Sequence, residues 1–96
     1  MAVKIMIKRK FKQEALSEAE NMLMKARTNA MGHKGYISTE TLVHFDDPQS
    51  VIIISMWQDK QDWDNYRYSA ARQEHEQKFE ELFEGTTEYE IFKLGM

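Results

Sequence analysis

Three side chains able to move or stabilise charge fall within one ten-residue stretch of the 96-residue chain: Tyr66, Arg72 and His75. An imidazole with an ordinary pKa of about 6.5 can take or give a proton at neutral pH. A guanidinium can stabilise a phenolate or enolate as charge develops on a substrate. Upstream, Trp57 and Trp63 offer flat faces on which an aromatic molecule would stack. The set reads as a catalytic group of Tyr66, Arg72 and His75 beside a substrate-binding pair, Trp57 and Trp63. Each residue has a plainer alternative: a core imidazole with a backbone partner, a solvated surface Arg, and aromatic core packing.

Other chemistries find little footing. Glu40 and His44 lie four residues apart, but no third ligand is placed near them, and a zinc site needs at least three protein ligands. His33 sits by the end of a helical pattern, where it would complement the dipole. The chain has no Cys, hence no disulfide framework and no thiolate chemistry. There is no Gly-rich phosphate loop, no Ser/His/Asp constellation and no nucleotide fingerprint. A net charge of −3 argues against nucleic acid, and the Lys8, Arg9, Lys10 and Lys12 cluster reads as a solvated strand end. The opening MAVKIMIKRKF lacks a long apolar run with a cleavage site, and no stretch approaches the ~20 apolar residues of a membrane helix. A cytoplasmic protein is expected. Seven Met point to irregular space filled adaptably, in a core, pocket or interface.

The elements that must position these residues follow from periodicity. Val3, Ile5, Ile7 and Phe11 alternate with Lys4, Lys8 and Lys10, with Met6 among the latter, which predicts a strand. Ala15, Leu16, Ala19, Met22, Leu23, Ala26 and Ala30 then share one face of a helix over 13–31, stopped by Gly32. Gly35 opens a hairpin turned by Asp46-Asp47-Pro48-Gln49. On its first strand Ile37, Thr39, Thr41, Val43 and Phe45 are expected on one face, with Tyr36, Ser38, Glu40, Leu42 and His44 on the other. The second strand, VIIISMW, is apolar on both faces, so both must be covered.

Residues 59–84 carry two helical stripes on nearly opposite sides: Trp63, Tyr66 and Ala70, then Tyr68, Ala71, His75, Phe79, Leu82 and Phe83. One helix cannot bury both, so a break is expected near Tyr66–Ser69. Asp59 would cap the short helix, Ser69 would cap the main one, and Gly85 would end it. Alternation over 86–94 predicts a last strand. The order β-α-β-β-α-β over a single domain, residues 1–96, predicts the α+β ferredoxin-like fold: four antiparallel strands with helices on one face. Ile52, Ile54 and Met56 oppose Val51, Ile53 and Trp57, both sets need burial, and for the face the helices leave uncovered the simplest cover is a second copy about a two-fold axis. A homodimer is expected.

Gly35-Tyr36-Ile37, the Asp47-Pro48 turn, the strand ending in Trp57 and the acidic helix start through Trp63 together resemble the antibiotic biosynthesis monooxygenase family of dimeric α+β barrels. The resemblance covers the whole chain in topology and Gly35–Trp63 in motif. It implies a cofactor-independent monooxygenase that turns a small aromatic phenol or quinol into a quinone with O₂. The family also holds quinol monooxygenases, haem-degrading members and proteins with no assigned role, so haem binding through His75 and a non-catalytic ligand-binding dimer are the alternatives. Haem-degrading members use an Asn on the first strand, a Trp on the second helical region and a His on the main helix. Here Val3 to Phe11 holds no Asn and Tyr66 stands at the Trp position. His75 is offset by about one residue, worth ~100° around a helix.

Overall fold

The computed structural model describes residues 1–95. Strand β1 (Val3–Lys10) leads through a short 3-10 turn into helix α1 (Leu16–Met31). Strands β2 (Tyr36–Val43) and β3 (Ser50–Trp57) form the hairpin. Helices α2 (Lys60–Arg67) and α3 (Ala70–Phe79) follow, and strand β4 (Glu88–Lys93) ends the fold. The sheet order is β2-β3-β1-β4, antiparallel throughout, as the ferredoxin-like reading requires.

Period-two alternation divides the sheet. Val3, Ile5, Ile7 and Arg9 of β1 are buried, as are Val51, Ser55 and Trp57 of β3. These residues meet the helices: Val3, Ile5, Ile7 and Trp57 cluster with Ala30, Trp63 and Tyr66, while Phe11 and Val51 cluster with Ala19, Met22 and Phe79. Ile53 touches both clusters and joins them.

On the opposite face, Met6 pairs with Ile54, Lys4 with Met56, and Leu42 with Ile52. Phe92 extends this apolar surface, flanked by a Lys8–Glu90 ion pair at 2.9 Å. None of these residues joins either buried cluster.

The break between helices falls where two opposed stripes demand it. Ser69 stands extended at the N-cap of α3; its Oγ accepts from the Arg72 backbone N–H at 3.2 Å and donates to the Tyr66 carbonyl at 2.7 Å. One hydroxyl thus closes α2 and opens α3. Gly32 ends α1 as expected. Gly35 adopts φ 87°, a left-handed conformation that suits glycine, and a Cβ there would collide with the Asp62 side chain. Its carbonyl accepts from Gln58 N–H at 2.8 Å, tying the start of β2 to the end of β3.

Five local expectations need correction. A register shift between Tyr36 and Ser38 inserts an extra residue, so Tyr36 shares the helix-facing side with Thr39 and Thr41. Its ring meets Trp57 edge-on at 5.6 Å and its hydroxyl lies 2.8 Å from Thr39 Oγ1. Asp59 occupies the N-cap of α2 without any side-chain capping bond. Tyr68 is 67% exposed, because the chain leaves α2 there instead of continuing the stripe. Helix α3 ends at Phe79, not Gly85; a 3-10 turn over Glu80–Leu82 swings Phe83 back against Phe11, rings 5.6 Å apart. Finally, Arg9 is no solvated strand end: it sits in phase with Ile5 and Ile7 and is 7% exposed.

Candidate active site

The helix-facing side of the sheet does not meet the helices everywhere. Between β1, β2 and β3 on one side and α1, α2 and α3 on the other lies a cavity. Its apolar lining includes Ile7, Ile53, Met22, Leu23, Trp57 and Trp63; its polar lining is Arg9, Arg27, Thr39, Thr41, Ser55, Tyr66, Arg72 and Glu76. About 50 Å³ is open to the centres of water molecules, against several hundred Å³ for a drug-sized ligand. A polycyclic molecule must therefore move side chains at the mouth. There the exposed Arg27 guanidinium of α1 donates to the Thr39 carbonyl of β2 at 2.7 Å.

Aromatic rings form one wall. Trp57 ends β3 and stacks on Tyr66 of α2, with centroids 5.2 Å apart and planes 24° apart. Trp63 tilts against both, at 6.0 and 6.1 Å. Such pairs contribute about 0.5–1.5 kcal/mol each beyond their burial. The Trp57 indole N–H donates to Ser55 Oγ at 3.1 Å. The Trp63 indole N–H is buried and has no acceptor, a condition that costs about 1–3 kcal/mol until an acceptor or water fills it. Burial raises the Tyr66 hydroxyl pKa above its ordinary value, with Arg72 opposing, so Tyr66 is a protonated donor at neutral pH.

Charge forms the second wall. Glu76 of α3 receives both terminal nitrogens of Arg9, at 2.6 and 3.2 Å, and Nη1 of Arg72 at 3.0 Å. Arg9 Nε also donates to Thr87 Oγ1 at 3.3 Å, and its guanidinium lies 4.3 Å over the Phe83 ring. Arg72 Nη2 donates to the Tyr89 hydroxyl at 3.0 Å. Burial alone would raise the Glu76 pKa, but the hydrogen bonds and charges of Arg9 and Arg72 outweigh it and hold the carboxyl below its usual range. Burial likewise opposes the Arg72 charge, and Glu76 and Tyr89 overcome it, so the guanidinium pKa is raised.

The structure thus brings Trp57, Trp63, Tyr66 and Arg72 together on one cavity. His75 is placed elsewhere. It lies in an outer groove between α1 and α3 beside Met24, Lys25 and Asn29, with its ring 5.0 Å from Phe79. Burial lowers its pKa, with Glu76 opposing, and its Nε2 is buried without a partner. Glu76 and Arg9 escaped the sequence reading, although the four-residue spacing from Arg72 to Glu76 and the phase of Arg9 on β1 both signal them. His33 Nδ1 sits 3.0 Å from the Asn29 carbonyl in the last turn of α1, and its ring meets Tyr66 at 4.7 Å.

No imidazole lines the cavity, and its open space is far smaller than a porphyrin; His75, the expected haem ligand, faces the outer groove instead. No group of three or more His, Asp or Glu able to hold a metal occurs among the described residues.

Known proteins match both sequence and fold. The model of the antibiotic biosynthesis monooxygenase family matches residues 2–78. SnoaB from Streptomyces nogalater, described as a cofactor-independent oxygenase, superposes with a TM-score of 0.89 at 17% identity, covering 99% of this chain and 94% of its own. A conserved protein from Methanosarcina mazei Go1 superposes at 0.88 and 19% identity, covering 97% and 92%. Rv0793 from Mycobacterium tuberculosis does so at 0.87 and 14%, covering 100% and 97%. No curated protein matches the sequence. At these identities the superpositions speak for the fold alone, and the sequence match carries the assignment: the chain belongs to the antibiotic biosynthesis monooxygenase family.

Proposed function

We propose that the protein is a cofactor-independent monooxygenase that oxidises a small aromatic phenol or quinol to a quinone with O₂. The observation that carries this reading is a single cavity with a Trp57–Tyr66 aromatic wall and a buried cation, Arg72, beside it. The ring of the substrate stacks on the aromatic wall and its oxygen faces Arg72. In the phenolate form the substrate has an electron-rich ring carbon, which is oxidised by O₂, and O₂ is reduced to a bound hydroperoxide. Loss of water then leaves the quinone, so one phenol bearing a ring C–H and one O₂ give one quinone and one H₂O. Arg72 stabilises the anion. Tyr66, held protonated by burial, donates to the peroxide oxygen. His75, in the outer groove, receives no role in the proton transfers.

The electrons come from the substrate, so the reading requires neither flavin nor metal. It is supported by the family membership and by the likeness to SnoaB, a cofactor-independent oxygenase. The uncovered face carrying Met6, Ile54, Met56 and Phe92 supports a homodimer in which two sheets pack face to face. No helix of the described residues is long and apolar enough to cross a membrane.

The test is oxygen uptake with an anthrone or naphthol substrate, at a pH high enough to ionise it in solution, using protein freed of flavin, haem and metal. The expected result is one O₂ consumed per quinone formed, with kcat lowered at least about 100-fold in Arg72→Met. No uptake overturns the reading. A second reading, a non-catalytic binding protein, draws on the narrowness of the cavity. Saturable quenching of Trp fluorescence by a naphthol, without uptake, would favour it.

A further inference from the structure

Any oxidation of a phenol in this cavity needs an ionised substrate, and the cavity holds no competent base. Of its lining residues, none is His, Lys or Asp, and Glu76 is the one carboxylate. That carboxylate is committed to Arg9 and Arg72 through three contacts of 2.6–3.2 Å, which hold it ionised and weakly basic. Tyr66 is shifted toward the protonated form. A neutral phenol would find nothing to take its proton.

The same residues supply the opposite provision, a place for negative charge. Arg9 and Arg72 are both buried, and Glu76 neutralises one of them. One positive charge is left on the cavity wall. The contacts of Arg72 engage Nη1 and Nη2, leaving its Nε–H outside the cluster. Trp63, which is 1% exposed and also lines the cavity, has a buried indole N–H that lacks an acceptor. A buried cation without a counter-charge calls for a ligand carrying a negative charge, and an unpartnered donor on a lining residue adds room for an acceptor.

We infer that the ligand of this cavity arrives already ionised, as a planar aromatic monoanion such as an acidic phenol or enol, and that Glu76 and Arg9 are positioning residues. Glu76 fixes Arg72 from one helical turn away, and Arg9 anchors Glu76 from β1. Glu76 sets the charge offered to the ligand at one, not two. Arg27, the remaining charged residue of the lining, is exposed at the mouth and adds attraction on approach. This inference deepens the proposed oxidation and rests on its cavity, but not on turnover.

4-Nitrophenol, which ionises near neutral pH and is yellow only as its anion, is the probe. Adding the protein to the dye near its pKa should increase the yellow colour. Anion binding at least about tenfold tighter than that of the neutral form lowers the bound dye's pKa by about one unit or more. Benzoate should displace the dye, and benzamide should not. A bound pKa unchanged or raised, equal competition by benzamide, or no binding of the dye at millimolar concentration each overturns the inference. Oxygen uptake lost with the dye shift retained would sink the oxidation and leave the anion receptor standing. Uptake retained with no shift would do the reverse.

Arg72→Met should abolish the shift. Glu76→Gln, which leaves two charges uncompensated, should enlarge it; a merely structural Glu76 would weaken binding of both dye forms together. If Glu76→Gln does not fold, Arg9→Met, which leaves Arg72 and Glu76 as a neutral pair, should remove most of the shift, and a shift unchanged in that variant overturns the role given to the cluster.

Discussion

Arg72 and Glu76 stand one turn apart on α3, and their side chains meet at 3.0 Å at the wall of the cavity. The spacing is the ordinary four-residue pair of a helix surface, worth a few tenths of a kcal/mol when exposed. Here Arg72 is buried and Glu76 mostly so, and β1 delivers a second buried guanidinium, Arg9, to the same carboxylate. Burial changes the consequence of removing one partner. Glu76→Ala strands two guanidiniums and should cost about 3–5 kcal/mol. Against a total of about 5–15 kcal/mol that is a large share. The triple change Arg9→Met, Glu76→Leu, Arg72→Leu should cost much less, because no charge is left stranded. Urea titrations of both variants check this; equal losses would show that the cluster acts through shape and not charge.

The same cluster sets an acid limit. The Glu76 pKa lies below its ordinary value of 4.5. A depressed carboxylate pKa contributes stability that is fully present above the unfolded value and is lost as pH falls through the folded one. Stability should therefore decline below about pH 4.5, and Glu76→Gln should flatten that decline. His75 adds a second arm of the same sign. Burial depresses its pKa below 6.5, so protonation is resisted in the fold and stability begins to fall as pH drops below that value. His75→Phe should remove the arm between 6.5 and the folded pKa while leaving the Glu76 arm in place. Chemical unfolding at a series of pH values separates the two.

Gly35 offers a test of backbone geometry. Its φ of 87° is unfavourable for a residue with a side chain, at a cost of about 1–3 kcal/mol. The Asp62 side chain occupies the space a Cβ would need. Gly35→Ala should therefore lose more than strain alone, about 2–4 kcal/mol, with Asp62→Ala in the same chain recovering part of it. Gly85 also has a positive φ, 76°, but nothing lies near its Cβ position. Gly85→Ala should cost the strain only, and thermal unfolding of the two variants would rank them.

How much of this the sequence discloses depends on the kind of signal. Period two located β1 and, read strictly, also buried Arg9, which shares the parity of Ile5 and Ile7. A charged side chain ordinarily leaves the core whatever its parity, and parity prevails here because Glu76 receives the guanidinium. Period 3.6 placed the break at Ser69, since two opposed stripes cannot both be buried by one helix. It did not distinguish the two edges of α3. His75 and Glu76 are neighbours in sequence yet ~100° apart around the axis, so one points toward α1 and the other toward β1. Nor could periodicity reveal the extra residue between Tyr36 and Ser38, because a bulge shifts the phase of a strand without changing its composition. Trp57, Trp63 and Tyr66 were legible as a group because large aromatic residues at a strand end and on the following helix have few places to go but against each other.

The uncovered sheet face supplies the last prediction. Met6 and Ile54 pair at its centre, next to Met56, Ile52 and Leu42. Patches beyond about 300–600 Å² are uncommon on monomers, and a face-to-face copy would cover this one about a two-fold axis. Sedimentation of the unaltered protein should give twice the 11.4 kDa of the chain. Ile54→Lys would place an unpaired ammonium in the sheet–sheet interface, at several kcal/mol per ion. With ~1.4 kcal/mol per decade, the dimer should dissociate at least about 100-fold more readily. The Lys8–Glu90 pair lies on the same face at 2.9 Å, with both side chains nearly half exposed. Lys8→Ala should change dissociation far less, because a rim ion pair contributes little. A sharp difference between the two variants locates the interface on the apolar centre of the face. Sedimentation of the unaltered protein as a monomer would remove the dimer, and the partly buried Ile54 would then be a plain surface residue.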